Sequence, residues 1–369
     1  MIRVFEPSIS VKDVYSVAKS VLNKDISGSS KEVKIFEENL AKYFQRKYAV
    51  CLSNGSVALD AAFQALNLKK GDEVILPTFT IISCLAAVIR SGATPIFCDV
   101  DGESWNLNLD DVKPLITNKT KAILIVHTYG LIVKADDFEE FCKKKNIVLI
   151  EDAAEAHGQE INNRKIGSFG LMSTFSFYAN KHLTTGEGGA VLTDSEDVYK
   201  KLLQIRNLDF NLNKRFEHEN LYWNYRMSGL QAALGNSQLK KLNQNIINKL
   251  KQANIYNNLI KEANLDIKTH PESFNGAINH YWVYGVVLNK SYDRNNIIMH
   301  LYNNKIETRP FFTPLHLQKA YKGIDEERIY PVSEFIGQQG LYLPLGSHLN
   351  KSKQNKIVKI LDEALQFYV

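Results

Sequence analysis

One lysine stands where covalent chemistry on a carbonyl can be done. In STFSFYANKHLTTGEGGAVLTD, residues 173–194, a strand-like apolar run from Ser173 to Tyr178 delivers Lys181 into a loop rich in threonine and glycine. The loop, Thr184 to Gly189, feeds a second apolar run, Ala190-Val191-Leu192. An amine at the end of a buried strand, followed by flexible glycines, suits a Schiff-base lysine. It must sit beside an aldehyde, yet swing away once substrate displaces it. The glycines let backbone approach a flat ligand closely. The same pattern also fits a surface lysine in a hairpin turn.

Two further stretches narrow that choice. IVLIEDAAEAHG, residues 147–158, is a continuous apolar run ending in Glu151-Asp152. Such a run suits a strand covered on both faces. A carboxylate at its C-terminal end points into the crevice where open α/β sheets bind ligands. Asp152 is then placed to hold a protonated pyridine nitrogen, the partner that pyridoxal phosphate needs to draw electrons. Taken alone, Glu-Asp after a strand is also an ordinary helix cap. AVCLSNGSVALDAAFQAL, residues 49–66, runs from a short strand through Ser53-Asn54-Gly55-Ser56 into a helix. Free N–H groups at a helix N-terminus bind phosphate, and the macrodipole favours the anion. The P-loop pattern GxxxxGK[ST] is absent, and a plain Ser/Asn N-cap is the alternative.

Phosphate turn, aspartate, serine and lysine thus follow one another at strand ends. With SNGSVALD, PTFTIISC, EDAAEAHG, FSFYANKHLTTGEGG and WNYRMSGLQAALG, this chain resembles the fold type I pyridoxal-phosphate-dependent aminotransferases. Within them it resembles those acting on nucleotide sugars, over nearly its whole length. The run IETRPFFTPLH, residues 306–316, is most similar to enzymes that make GDP-perosamine, a 4-amino-4,6-dideoxy sugar. The resemblance implies that Lys181 is catalytic, holding the cofactor and shuttling a proton between carbons. Asp152 would bind the ring nitrogen, Glu155 would lie near the ring's phenolic oxygen, and Ser56, Val57 and Ser176 would bind the phosphate. Asn224 would reach the phosphate of a partner subunit, although by itself it reads as a turn residue before a helix. Arg309 and His316 would contact substrate, with a domain-packing ion pair as the other use of Arg309. Many relatives carry Gln at the position of Glu155, and an aromatic or bulky residue at that of Ile81. Isoleucine there keeps apolar contact with the ring face but loses π-stacking. His182 reads as a packing residue beside Lys181.

The activity this implies is transfer of an amino group from L-glutamate to a 4-keto-6-deoxy nucleotide sugar. GDP-4-keto-6-deoxy-D-mannose giving GDP-perosamine, for surface polysaccharide, is the first candidate. A dTDP- or UDP-linked keto sugar, aminated at C3 or C4, is the alternative. A sugar 3-dehydratase on the same fold is a further reading, but such relatives put histidine where Lys181 stands. A scaffold without activity is disfavoured by the intact Lys181, Asp152 and Ser176.

Composition sets outer bounds. With 369 residues the chain can bury a large core, and two domains are expected, a large cofactor-binding one over 1–245 and a smaller one over 246–369. The net charge of +5 is spread along the chain, with no basic stripe for nucleic acid, and mild enough only to help attract an anionic nucleotide sugar. Cys51, Cys84, Cys98 and Cys142 lack metal or CxxC spacing, and the nine histidines lack ligand spacing. No bound metal is expected, and a reduced, cytoplasmic protein fits. No apolar run is long enough to span a membrane, and the N-terminus lacks a signal-peptide core.

The periodicity predicts an amphipathic helix over 31–47, then strands at 48–53, 73–77, 94–99, 122–127, 147–151, 173–178 and 189–193. Helices at 55–66, 82–91 and 134–145 alternate with them. Alternation of this kind predicts an α/β fold with a mostly parallel sheet between helices. Residues 1–30 read as short and mixed. Helices are expected at 195–207 and, in one piece, 227–262. A smaller α+β domain follows, with strands at 280–288 and 306–312 and helices at 294–304 and 352–368. A homodimer with active sites shared between subunits is expected from the resemblance.

Overall fold

The computed structural model describes residues 1–210, 215–321 and 328–368. Two helices lead the chain, α1 (Val11–Leu22) and α2 (Lys31–Tyr43). Then β1 (Tyr48–Leu52), α3 (Gly55–Ala65), β2 (Glu73–Pro77), α4 (Ile82–Arg90) and β3 (Thr94–Cys98) alternate. β4 (Thr120–Val126), α5 (Ala135–Lys145), β5 (Val148–Asp152), β6 (Met172–Ser176) and β7 (Gly189–Thr193) complete a seven-stranded sheet. Its order is β1-β7-β6-β5-β4-β2-β3. β3, β2, β4, β5 and β6 run parallel, while β7 is antiparallel to both of its neighbours. Ile123, Ile125, Leu149 and Phe175 enter one apolar cluster, and Ala122, Leu124, Ile150 and Val191 enter another. That alternation is the signature of a sheet buried on both faces, so the near-continuous apolar runs in the sequence follow.

Past α6 (Glu196–Arg206), the expected single helix over 227–262 is two: α7 (Gly229–Leu239) and α8 (Leu242–Glu262). The break at Lys240-Lys241 lets α7 pack on α1 and α2 while α8 leaves for a second core. α8 places Leu242 and Ile246 in the large cluster, and Ala253, Tyr256 and Ile260 in the smaller one. The smaller sheet holds β8 (Ile267–Thr269), β9 (Tyr284–Leu288), β10 (Arg309–Pro310) and β11 (Gly340–Leu343), antiparallel in the order β8-β9-β11-β10. Helices α9 (Arg294–Asn303), α10 (Pro331–Gln339) and α11 (Lys351–Phe367) accompany it.

Other corrections are local. Residues 1–30 hold a full helix, α1, whose pattern is inverted: Val11, Val14, Tyr15 and Leu22 are exposed, while Asp13 and Ser20 are buried. Its apolar residues do recur at helical spacing, so the helix was there to be read; what the spacing does not tell is that this stripe faces outward. The run at 306–312 is not one strand: Arg309–Pro310 pairs with β11, Ile306 forms a separate bridge with Ile2, and Pro310 has no N–H with which to extend a ladder. The strand expected at 280–288 pairs only from Tyr284, because Tyr281 turns the chain with φ of 48°.

Candidate active site

The sheet brings the strand-end residues to one edge. Asp152 ends β5 and Ser176 ends β6, with Asp152 in register with Thr174 on the neighbouring parallel strand. Gly189 of β7 pairs with Ser176 on one side and with Leu52 of β1 on the other. The turn after β1 therefore lies beside Ser176. A Cβ on Gly55 would fall 2.7 Å from the Ser176 Cβ, so the helix start and the serine close on one another without space for a side chain. Asn54 caps α3, its Oδ1 accepting from the Val57 N–H at 2.9 Å. Val57 thus lines the site, but its N–H is already taken; the helix-start donors left are nearer Gly55 and Ser56. The Ser56 hydroxyl lies 2.7 Å from that of Ser83.

These residues line a cavity of about 600 Å³ with Thr80, Ile81, Asp152, Glu155, Lys181 and Arg309. The volume lies within the usual range for small-ligand sites. Lys181 Nζ donates to Glu155 Oε1 at 3.2 Å and sits 3.6 Å from the centroid of the Trp282 ring. The other Glu155 oxygen accepts the Tyr129 N–H at 2.8 Å. Burial pushes the Glu155 carboxyl up from its ordinary value, while Lys181 and the Tyr129 N–H pull it back. Asp152 is buried, and burial likewise pushes its carboxyl up. Its Oδ1 accepts from the Ala154 N–H at 3.1 Å and its Oδ2 faces the Cys84 thiol at 3.5 Å. Neither partner is a cation, so the charged carboxylate is left short of compensation.

Pyridoxal phosphate fits this donor set. A protonated ring nitrogen would give Asp152 the cation it lacks. The cradle of Gly55, Ser56 and Ser176 at a helix N-terminus suits a phosphate dianion. Lys181 lines the same cavity, where its amine could meet an aldehyde.

Not every expected residue joins the cavity. Asn224 is exposed and does not line the cavity, bridged to Asn207 across an isolated antiparallel pair. His316 does not line the cavity: its Nδ1 is 2.7 Å from the Thr78 hydroxyl and its Nε2 is 3.3 Å from Glu334. Arg309 does line it, with Glu307 3.7 Å away and the Phe5 ring beneath its guanidinium. His182 is buried, 3.0 Å from the His280 carbonyl, and burial pushes its pKa well down. Sequence reasoning missed Trp282 and Tyr129. Trp282 sits in HYWVYGVVL, where an aromatic among apolar residues reads as strand core. Tyr129 follows β4 with φ of 58°, a conformation no local residue pattern announced. Among the described residues no cluster of His, Cys, Asp and Glu is set to hold a metal, and no helix is long and apolar enough to cross a membrane.

Comparison with known proteins gives the family. Residues 9–362 match the model of the DegT/DnrJ/EryC1/StrS aminotransferase family. A GDP-perosamine synthase of Vibrio cholerae is 37% identical over 93% of this chain and 94% of its own. Another, from Escherichia coli O157:H7, is 35% identical over 100% and 98%. The solved GDP-4-keto-6-deoxy-D-mannose-3-dehydratase of E. coli, with bound hydrated pyridoxal phosphate, superimposes with a TM-score of 0.89 at 25% identity, covering 98% of this chain and 99% of that one. The chain belongs to the DegT/DnrJ/EryC1/StrS aminotransferase family, and it is an aminotransferase whose cofactor is pyridoxal phosphate.

Proposed function

We propose that this enzyme moves the amino group of L-glutamate to C4 of a 4-keto-6-deoxy nucleotide sugar, with GDP-4-keto-6-deoxy-D-mannose as acceptor and GDP-perosamine as product. The observation that carries this reading is Lys181. The dehydratases of this fold resemble the chain throughout but replace that lysine with histidine, whereas here the amine lies in the cavity, hydrogen-bonded to Glu155. Bound in the cavity, the cofactor supplies an aldehyde for amines and a ring that draws electrons from the carbon being deprotonated. The chain supplies the rest. Lys181 Nζ takes the proton from one carbon and returns it to the next, which a base held at one place can do for both. Asp152 keeps the ring nitrogen protonated. Ser176, with the start of α3, binds the phosphate and fixes the ring's tilt. Arg309 is placed to grip an anionic part of the substrate, which a guanidinium does in a bidentate way.

The working unit in this reading is a homodimer in the cytoplasm, with Asn224 completing the neighbour's phosphate site. Leu221 is 98% and Trp223 65% exposed beside it, an apolar surface that a second subunit would cover. The test is a panel of GDP-, dTDP- and UDP-linked 4-keto and 3-keto 6-deoxy sugars, each with glutamate and the holoenzyme. Mass spectrometry and NMR of the products give the nucleotide and the aminated carbon. The expected product is GDP-perosamine, absent with Lys181→Ala. An unsaturated or deoxygenated sugar lacking nitrogen would overturn the reading in favour of dehydration.

A further inference from the structure

We propose that Trp282 is a positioning residue for Lys181: its indole face seats the lysine ammonium opposite Glu155. This rests on the reading of Lys181 as the lysine that bonds the cofactor. The amine is held from two sides, by Glu155 Oε1 at 3.2 Å and by the indole centroid at 3.6 Å. Both contacts favour the cation, one through charge and one through the ring quadrupole. An amine freed from the cofactor is thereby kept within reach of the reacting carbons instead of swinging into solvent.

One strained turn sets both sides of the seat. Tyr129 and Gly130 adopt φ of 58° and 100°. The first is costly for a bulky residue and persists only where surrounding contacts over-determine it. Here the contacts are on the page. The Tyr129 N–H points at Glu155 Oε2, 2.8 Å away, and the Tyr129 hydroxyl accepts the Phe312 N–H at 3.1 Å. The Gly130 carbonyl accepts from the His280 N–H at 2.9 Å. A Cβ on Gly130 would lie 2.5 Å from the Trp282 backbone nitrogen, so only glycine lets that segment come so close. From the opposite side Lys249 Nζ donates to the Trp282 carbonyl at 2.6 Å. The Trp282 main chain is therefore gripped between Gly130 and α8, and its ring has one place to lie.

The titratable groups facing the Lys181 amine are Glu155 and Asp152, which favour its cation, and Lys249 and His157, the latter kept neutral by burial. Burial first, then Lys181, pushes the Lys249 amine down to about 7. Trp282 is the one member of this set that does not titrate, so replacing it leaves the others in place.

The probe is capture of pyridoxal phosphate by the cofactor-free protein, followed by stopped-flow absorbance across pH. Only the neutral amine attacks an aldehyde, so a group that stabilises the ammonium slows capture. In Trp282→Leu the half-maximal capture pH should fall, with capture roughly tenfold faster below it. Turnover of the loaded enzyme should drop by a similar factor, with KM for glutamate little changed. Trp282→Phe, which keeps a π face, should restore most of both. Loss of a merely structural residue slows both reactions, so faster capture with slower turnover is the signature. An unchanged or raised half-maximal pH in Trp282→Leu overturns the proposal, provided its thermal unfolding stays cooperative. Lys181→Ala serves as the control. If it still captures the cofactor at the fast rate, the reading of Lys181 has failed. If it is inert while Trp282→Leu is unshifted, only the role of Trp282 has failed.

Discussion

Asp152 carries its charge at a cost, because burial disfavours the ion and its two protein partners are an amide and a thiol. In the proposed mechanism the cofactor's ring proton would offset that cost, and an amide could not replace the exchange. Asp152→Asn should still bind pyridoxal phosphate, since the phosphate cradle is untouched, but transaminate at least about a hundredfold more slowly. Absorbance titration and single-turnover kinetics check the two halves separately; a near-normal rate would mean that another acid serves the ring. His270 makes a different residue-scale case. Its Nε2 lies 3.0 Å from the Ser104 carbonyl and its Nδ1 3.1 Å from the Asn279 amide nitrogen, so the neutral ring is satisfied as donor and acceptor. A second ring proton would meet a donor. Burial accordingly pushes its pKa down to about 4, from an ordinary 6.5. The unfolded chain then binds the proton that the fold refuses. The stability His270 contributes is complete above pH 6.5 and is lost as pH falls toward 4, about 3 kcal/mol over that window. Denaturant midpoints against pH should be flatter over this range in His270→Gln than in the wild type; parallel curves would refute it. Asp152 was legible in the sequence because the apolar run before it marks the end of β5, and Lys181, five residues past the end of β6, because a threonine- and glycine-rich loop follows it. Trp282 was not, because its role comes from a contact made across 101 residues by folding.

At the scale of elements, the phosphate cradle depends on how closely α3 approaches the end of β6. Gly55→Ala puts a methyl 2.7 Å from the Ser176 Cβ and 3.0 Å from its hydroxyl oxygen. Alanine is the better helix former, so the fold should change in stability by no more than about 1 kcal/mol. The serine, however, must shift, and affinity for pyridoxal phosphate should weaken at least about tenfold. Equilibrium dialysis beside thermal unfolding separates the effects, and unchanged affinity would mean that the cradle is looser than its geometry. The alternating elements of the large sheet were legible for the reason that makes them a sheet. Parallel strands buried on both faces need apolar runs, and helices between them need period-3.6 stripes. The break at Lys240-Lys241 was not, because leucines continue through it: Leu239 and Leu242 each serve a helix, and only the direction of α8 toward the second core separates them. The turn at Tyr129-Gly130 was hidden for a related reason, since a tyrosine with positive φ is selected by its surroundings and not by its own propensity.

For the whole molecule, the inverted pattern of α1 and the exposure of Asn224 point the same way. Val11, Val14, Tyr15 and Leu22 are exposed on α1, and Leu221 and Trp223, just before Asn224, are exposed too, so one chain leaves apolar surface open. A C2 dimer would cover such surface reciprocally, giving each cofactor site a residue from the neighbour. Complementation tests this sharing directly. Lys181→Ala should be inactive because its own site lacks the amine. A strongly impairing Asn224 variant should be defective because it withholds a phosphate contact from its neighbour. In a mixed dimer, the site built on the Lys181→Ala chain receives the altered Asn224 and carries both defects. The other site keeps its own Lys181 and receives an intact Asn224, so it is wild type. Random exchange at equal amounts makes about half of the dimers mixed, each with one good site, so activity should recover to roughly a quarter of the wild-type value. Native mass spectrometry with one variant tagged counts the mixed dimers independently. Mixed dimers that form without restoring activity would place the action of Asn224 within its own subunit, and the shared site would be wrong.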